Sequence, residues 1–505
     1  MSSDSPNVLF IMDDQHNARC LGCYGNDTVE TPAIDRLAAE GVRFDRAYCQ
    51  NPICMPSRMS YMTGRYPHSH GVYGNYGGVP DDTLSLARHL GNNGYDTGGF
   101  GKLHLPIDWT THGFDVRRTC DFSDVADHPH ENDYYQYLER VGYSEEYDLG
   151  PASTEYPHTA FVSNIPAEHS VERWTADETL RWLRERNGDD PFFAWMSFQR
   201  PHPPYCPPPE YADLYDPAEI DLPPRDDGEF DDKPPEWQAA ARRDLFQQSS
   251  DADISQVVAY YYALITLIDE QIGRVLSHLW ETGELENTVV VFGSDHGDFA
   301  GEHGLVRKNV GISEAVHRIP MVWRWPEGAR SDAVNGDLVE SIDVFPTLCD
   351  LLDLPVPDPV QGESLAGVLA GDGTVDREVT VCEDTTHRTI RTDEWKLTHY
   401  VNGEGGELYH ISEDPWEHDD LYDEEEYRSV RLRLTERLLD FYATTEEPVI
   451  PGDRSAPREG ETEAHTIWTR RWWEHGGATN PTPLDHLGGP GYSIDRDDPE
   501  DAHRE

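Results

Sequence analysis

Residues 7–12 read NVLFIM, and the run stops abruptly in Asp13 and Asp14. A short stretch that is apolar at every position lacks the alternation of a half-exposed strand. It reads as a strand buried on both faces, with polar groups at its carboxyl end. The same form recurs in PFFAWMSF at 191–198 and NTVVVFGSD at 287–295, and a shorter strand is expected at about 97–100. Helical patterns stand between them. Thr31 precedes Pro32 at a first helical position with Gly41 beyond the end, and a second helix is expected near 83–90. A long one runs from Ile254 to Leu279, with Val257, Tyr261, Leu264, Ile268, Ile272, Val275 and Leu279 on one side. This alternation predicts an α/β fold built on a large, mostly parallel sheet flanked by helices. Ligands gather at the carboxyl ends of such strands, so polar residues at 13–16, 102–104, 199–202 and 295–298 should converge on one site.

The pattern changes after Gly373. EVTVCE, RTIRTDEWKLTHYV and GELYHI read as hairpin strands, and a helix follows near 425–442. The expected organisation is therefore a catalytic α/β domain over 1–372, a smaller antiparallel-sheet α+β subdomain over 373–450, and a tail over 451–505. The acid- and proline-rich stretch at about 215–245 reads as a surface excursion. In the tail, Trp468, Trp472 and Trp473 would need cover from the protein or from a second copy in a homo-oligomer.

Ninety-six acidic residues against forty basic ones give a net charge of −56 among 505 residues. Nucleic acid and anionic membranes are excluded as partners by that charge. Aromatic content of 10% and the recurring strands argue for a folded protein with an acidic shell rather than a disordered chain. Such a shell suits very high salt, where the Debye length shrinks to about 3 Å at 1 M, and points to a halophilic source. No charged start followed by a long apolar run appears, nor any apolar run of about 18 residues, so a cytoplasmic protein is expected. The eight cysteines are scattered and form no disulfide framework, and Cys20 with Cys23 makes a CxxC lacking a second pair.

Cys54 opens CMPSRMSYMTGR, where Pro56 suits a first helical turn and the following residues continue it. A cysteine at a helix N-terminus faces free amide groups that can hold an anion. A buried thiol is the equally good reading on physics alone. The stretch resembles the signature of type I sulfatases, in the alkaline phosphatase superfamily, in which the cysteine of CxPxR becomes formylglycine (3-oxoalanine). Cys54, Pro56 and Arg58 match it, and Thr63, Gly64 and Arg65 match its continuation. The likeness runs from about residue 5 to 445 and implies an alkaline-phosphatase-like fold.

Further blocks follow in the family's order. IMDDQH resembles the first metal block, placing Asp14 and Gln15 on the ligand positions and Asp13 where a small residue is common. GSDHGDFAGEHG resembles the second, with Asp295 and His296. The implied metal set is Asp14, Gln15, modified Cys54, Asp295 and His296. Its hard oxygens favour calcium, with manganese or magnesium as alternatives. FGKLHLP supplies Lys102 and His104, QRPHPPY supplies His202, and VRKNVG supplies Lys308. Asn75 in GVYGNYGG is a candidate contact for a substrate oxygen, while His16, Asp298 and Glu302 stand beside the motifs in supporting positions at most.

The resemblance implies hydrolysis of a sulfate monoester, carbohydrate, aryl or choline-like, to alcohol and inorganic sulfate. Hydrated formylglycine attacks sulfur, His202 or Lys308 protonates the leaving oxygen, and His104 takes a proton to release sulfate. Lys102 neutralises ester oxygens, and Arg58 fixes residue 54 and the metal carboxylates. A formylglycine-generating enzyme would be the maturation partner. The enzymatic alternative is a phosphonate monoester or phosphodiester hydrolase of the same superfamily, where the Gln and His metal variants also occur but GKxH tends to be absent. A different class, an anion-binding protein with unmodified Cys54, conflicts with the full acid, base and metal set.

Overall fold

A computed structural model describes residues 5–445, except 81, 107–109, 122–131, 149–159, 187–189, 226–229, 231–232, 235–236, 239–249, 309–310, 327–330, 402 and 404. The tail from 451, with its three tryptophans, lies outside the described residues. An eight-stranded sheet organises the chain. In sequence order its strands are β1 (Asn7–Asp14), β2 (Val42–Phe44), β3 (Asp96–Gly101), β4 (Val116–Thr119), β5 (Phe192–Pro201), β6 (Thr288–Ser294), β7 (Met321–Arg324) and β8 (Ala333–Asn335). Their spatial order is β8-β2-β7-β6-β1-β5-β3-β4.

Every residue of β1 is buried, and it pairs in parallel with β5 on one side and β6 on the other. That central position is why NVLFIM shows no alternation. Only β7 runs antiparallel to its neighbours within this sheet. Helices α3 (Val171–Glu185) and α4 (Asp251–Thr282) cover one face, where Leu180, Ile268 and Ile272 join the core. The other face packs α2 (Cys54–Thr63) and the helix Val344–Leu351, through Met59, Phe345 and Leu348.

The helix Pro32–Ala39, α1, begins where Pro32 indicates, but Thr31 does not cap it with its side chain. The Thr31 hydroxyl instead accepts the Gly22 N–H at 3.0 Å. Asp269, from α4, takes the cap's place by accepting Ala33 N at 2.9 Å and Ile34 N at 2.8 Å. No local signal announces a cap delivered from 235 residues away.

Beyond the sheet, Thr380–Glu383, His387–Arg391, Lys396–Tyr400 and Gly406–Tyr409 form a four-stranded antiparallel sheet, β9 to β12, as the hairpin pattern predicts. The helix Arg428–Thr445, α5, lays Leu434 and Leu438 on its core. One expectation is corrected. Within the supposed surface excursion, Lys233 and Trp237 are buried, and the Trp237 ring packs edge-on against Phe299 and His303. Among the described residues no helix is long and apolar enough to cross a membrane.

Candidate active site

Strands β1, β3, β5 and β6 bring their carboxyl ends to one place, and α2 arrives there by its N-terminus. Cys54 is the first residue of α2 and follows Ile53 in extended conformation. Asn75 Oδ1 accepts the Met55 N–H at 3.0 Å, and Asn51 Oδ1 accepts that of Ile53 at 2.9 Å. Asn75 is thus placed at the exposed rim of the site, with its carbonyl oxygen already fastening the helix start. The Cys54 side chain is 1% exposed.

Five groups surround its sulfur. Lys308 Nζ lies 2.8 Å from Sγ, His296 Nε2 3.3 Å and Asp14 Oδ1 3.7 Å, while His104 and His202 also hydrogen-bond to it. Burial alone would push the thiol up. Lys102, Lys308 and His296 outweigh it and hold Cys54 well below the ordinary thiol range. The pocket therefore favours negative charge at position 54 whatever chemical group stands there.

Arg58, one turn along α2, is wholly buried and ties together the ends of four strands. Its Nε donates to Asp295 Oδ2 at 2.8 Å and one terminal nitrogen to Asp14 Oδ2 at 3.2 Å. The other terminal nitrogen reaches both Lys102 O and Ser197 Oγ at 2.8 Å. The planar fork suits this geometry in a way a lysine could not. Ser57, inside the same motif, donates to Asp295 O at 2.5 Å.

Lys102 follows Gly101, whose φ of 91° and close approach to Ser197 O leave no room for a side chain. The turn lets Lys102 N bond Ser197 O at 2.8 Å and sends Nζ to an ion pair with Asp14. Burial opposes the charge on this lysine, but Asp14 and Cys54 prevail and raise its pKa. His104 is left-handed at φ 47°, its N–H gripped by both oxygens of Asp121 at 3.0 and 3.1 Å.

The strand period separates the two aspartates of IMDDQH. Asp14 enters the cluster, while Asp13 Oδ2 sits 2.5 Å from His16 Nδ1 and its carboxyl is pushed up by burial. Gln15, at φ 70°, donates its backbone N–H to Asp295 Oδ1 at 3.0 Å and its side-chain N–H to Asp298 Oδ2 at 2.6 Å. The amide oxygen is then the side-chain atom available to a cation. The ligand atoms of Asp14, Cys54, Asp295 and His296 all lie within 4.8 Å of one another and are buried. His296 Nδ1 is 3.0 Å from Gly297 O, which leaves Nε2 facing the cluster. Two carboxylates and an imidazole nitrogen beside position 54 make a donor set that fits one divalent cation.

His202 shares the cluster at its half-exposed edge, with Nδ1 2.6 Å from Pro203 O. Burial and then the Lys308 ammonium lower its pKa. Asp14, His104, His202, His296 and Lys308 are thus brought together around Cys54, with Arg58, Lys102 and Asp295 linked to them through Asp14, Gln15 joined to Asp295, and Asn75 fastened to the start of the helix. Asp298 stands in a supporting position. Its Oδ2 also accepts Tyr205 Oη at 2.7 Å, and its Oδ1 accepts Ala300 N at 2.8 Å and Arg307 N at 2.9 Å. The acid in GSDHGD was the available signal. Asp121 had none.

The chain also resembles known proteins along most of its length. The family model Sulfatase matches residues 6–354, and a model described as N-sulphoglucosamine sulphohydrolase, C-terminal, matches 301–444. An arylsulfatase of Clostridium perfringens is 30% identical over 481 residues, 89% of this chain and 97% of its own length. An N-acetylglucosamine-6-O-sulfatase of Bacteroides thetaiotaomicron is 25% identical over 86% of this chain and 85% of its own. Among solved structures, the phosphonate monoester hydrolase of Agrobacterium radiobacter has a TM-score of 0.75 at 26% identity, covering 87% of this chain and 96% of that one.

Proposed function

The chain belongs to the sulfatase family, and from that premise we propose that it removes sulfate from a sulfated carbohydrate, using a formylglycine made from Cys54 and one divalent cation, calcium first. It is a sulfuric ester hydrolase. The saccharide preference is supported by relatives such as the N-acetylglucosamine-6-O-sulfatase. One observation carries the reading. A single buried position at a helix N-terminus is ringed by a lysine, three histidines and a carboxylate, with the charge of a second lysine, Lys102, also acting on it.

A sulfate monoester needs cations at its non-bridging oxygens, a nucleophile behind sulfur and a proton for the departing oxygen. When present, formylglycine supplies an oxygen nucleophile, and a cation held by Asp14, Gln15, Asp295 and His296 acts as a Lewis acid. Lys102, kept charged beside Asp14, neutralises ester oxygens. Lys308 at Nζ, or His202, delivers a proton to the leaving oxygen as the S–O bond breaks. His104, within hydrogen-bond reach of residue 54, accepts a proton there. Arg58 holds Asp14 and Asp295 in place, and Asn75 stands at the rim where substrate enters. The acidic surface supports work at high salt, and a formylglycine-generating enzyme is the maturation partner.

The second reading, phosphonate or phosphodiester hydrolysis, is favoured by the Gln15 and His296 metal variants and by the Agrobacterium neighbour. Lys102 and His104, both in the cluster, favour sulfate. Mass spectrometry of the peptide spanning Cys54 tests the modification. Sulfate-ester against phosphonate hydrolysis on one leaving group tests the class, and a clear phosphorus preference moves the assignment to the second reading.

A further inference from the structure

Lys308 is flanked in sequence by two fastened segments, and the two fastenings come from distant parts of the chain. At the near end, the Arg307 N–H donates to Asp298 Oδ1 at 2.9 Å and to Tyr205 Oη at 3.1 Å, with Arg307 in the left-handed region at φ 70°. The far end is Ile312 to Glu314. There Ser313 Oγ and Glu314 N donate to Glu417 Oε2 at 2.6 and 2.7 Å, and Lys396 Nζ donates to Ile312 O at 2.6 Å. The other Glu417 oxygen is ion-paired with Lys396.

Glu417 is itself held rigidly. It is 1% exposed and left-handed at φ 61°, and its carbonyl accepts Lys233 Nζ at 2.5 Å. Its neighbours reach the metal loops. Arg19 stacks on Trp416 at 4.4 Å, donates to Pro415 O at 2.9 Å, and binds Glu302. Glu302 in turn accepts Asn17 Nδ2 at 2.8 Å.

We infer that Glu417 is a positioning residue for the leaving-group proton: through Ser313 and Glu314 it fixes the loop that aims Lys308 Nζ at the scissile oxygen. The inference rests on the proposed donor role of Lys308. In that step the Lys308 N–H bond breaks as the S–O bond breaks, the proton passes to the departing oxygen, and a neutral amine remains. A lysine swings on four rotatable bonds, so its aim depends on the backbone that carries it. A displacement of about 1 Å in a proton donor can cost on the order of 10²-fold in rate.

The test compares an aryl sulfate, whose phenolate leaves readily, with an alkyl sulfate, whose alkoxide needs the proton. Glu417→Gln keeps size and removes the charge that binds Lys396. Expected is a fall in kcat/KM of roughly tenfold on the alkyl ester and under about threefold on the aryl ester. Lys308→Ala should show the same selectivity more strongly, and adding Glu417→Gln to it should widen the alkyl-to-aryl gap no further. A merely structural role lowers the active fraction and reduces both substrates equally, which overturns the inference. If Lys308→Ala alone shows no leaving-group selectivity, the donor role fails and the inference falls with it. That result is recognisable without the Glu417 variant. Should Glu417→Gln lose its folding transition, Ser313→Ala deletes one of the two hydrogen bonds without removing charge, and equal losses on both substrates from it overturn the inference.

Discussion

Two buried ionic networks use the same residue types to different ends. In the first, Arg58 and Lys102 pair with the carboxylates of Asp14 and Asp295, while Lys308 is turned on residue 54. In the second, Arg391 and Lys396 face Glu314 and Glu417, so the named charges balance. There Glu314 also accepts the Tyr48 hydroxyl at 3.2 Å, and both Glu417 oxygens are engaged. A balanced network stabilises by being complete. Residue 54 aside, the first has one cation more than it has carboxylates, and that charge is turned on the position where the proposed sulfate chemistry takes place. Buried charge thus serves binding where it is left uncompensated and cohesion where it is closed.

The strongest way to break that contrast is Cys54→Ala. Turnover should fall by at least about 10⁴-fold while the melting temperature stays within a few degrees, because the residue supplies chemistry and little cohesion. A collapsed fold in thermal scanning would make the first network a structural clamp as well. His104→Ala should lower kcat by roughly 10²–10⁴-fold with the fold intact, as expected for loss of a positioned proton acceptor. Steady-state rates on one sulfate ester measure this, and a loss below about tenfold removes His104 from the chemistry.

Arg391→Met probes the balanced side. It leaves Glu314 buried beside fewer cations, and breaking such a pair costs about 3–5 kcal/mol. Denaturant unfolding should show that loss while KM on the same ester is unchanged. A large KM change with unaltered stability would reverse the two assignments.

The smallest effect is in acid. Despite burial, Arg391 and Lys396 pull Glu314 from 4.5 to about 2, and burial lowers His317 from 6.5 to about 3. Both shifts are downward, so both contributions are present at neutral pH. The part from His317, neutral in the fold, begins to be lost as pH falls below 6.5. The part from Glu314 is lost between 4.5 and about 2. Melting temperature should slope gently down from pH 6.5 and more steeply below 4.5, and Glu314→Gln should flatten the lower portion. A flat curve from pH 7 to 4 contradicts the His317 contribution.

The unbalanced network was legible because its members lie in short blocks at strand ends, where local pattern and topology coincide. NVLFIM placed Asp14, and CMPSR placed Cys54 and Arg58 on one helical turn. The balanced network was not legible. Glu417 meets Ser313 across 104 residues, and nothing in SEDPWEHDD distinguishes this acid from its exposed neighbours. Asp269 capping α1 and Trp237 buried within an acidic stretch were hidden for the same reason, since each is defined by a partner far along the chain. Pattern reports the face a residue shows its own element, and these residues answer to another.

All ten residues of α2 are buried, and Cys54 heads them. Any enzyme that rewrites this cysteine by reading the stretch from Cys54 to Arg58 must meet it extended, before Arg58 closes on Asp14 and Asp295. If Cys54 is converted as proposed, editing would have to come before folding, and a chain that folded first would keep its thiol, so specific activity would be set during synthesis by a race between two clocks.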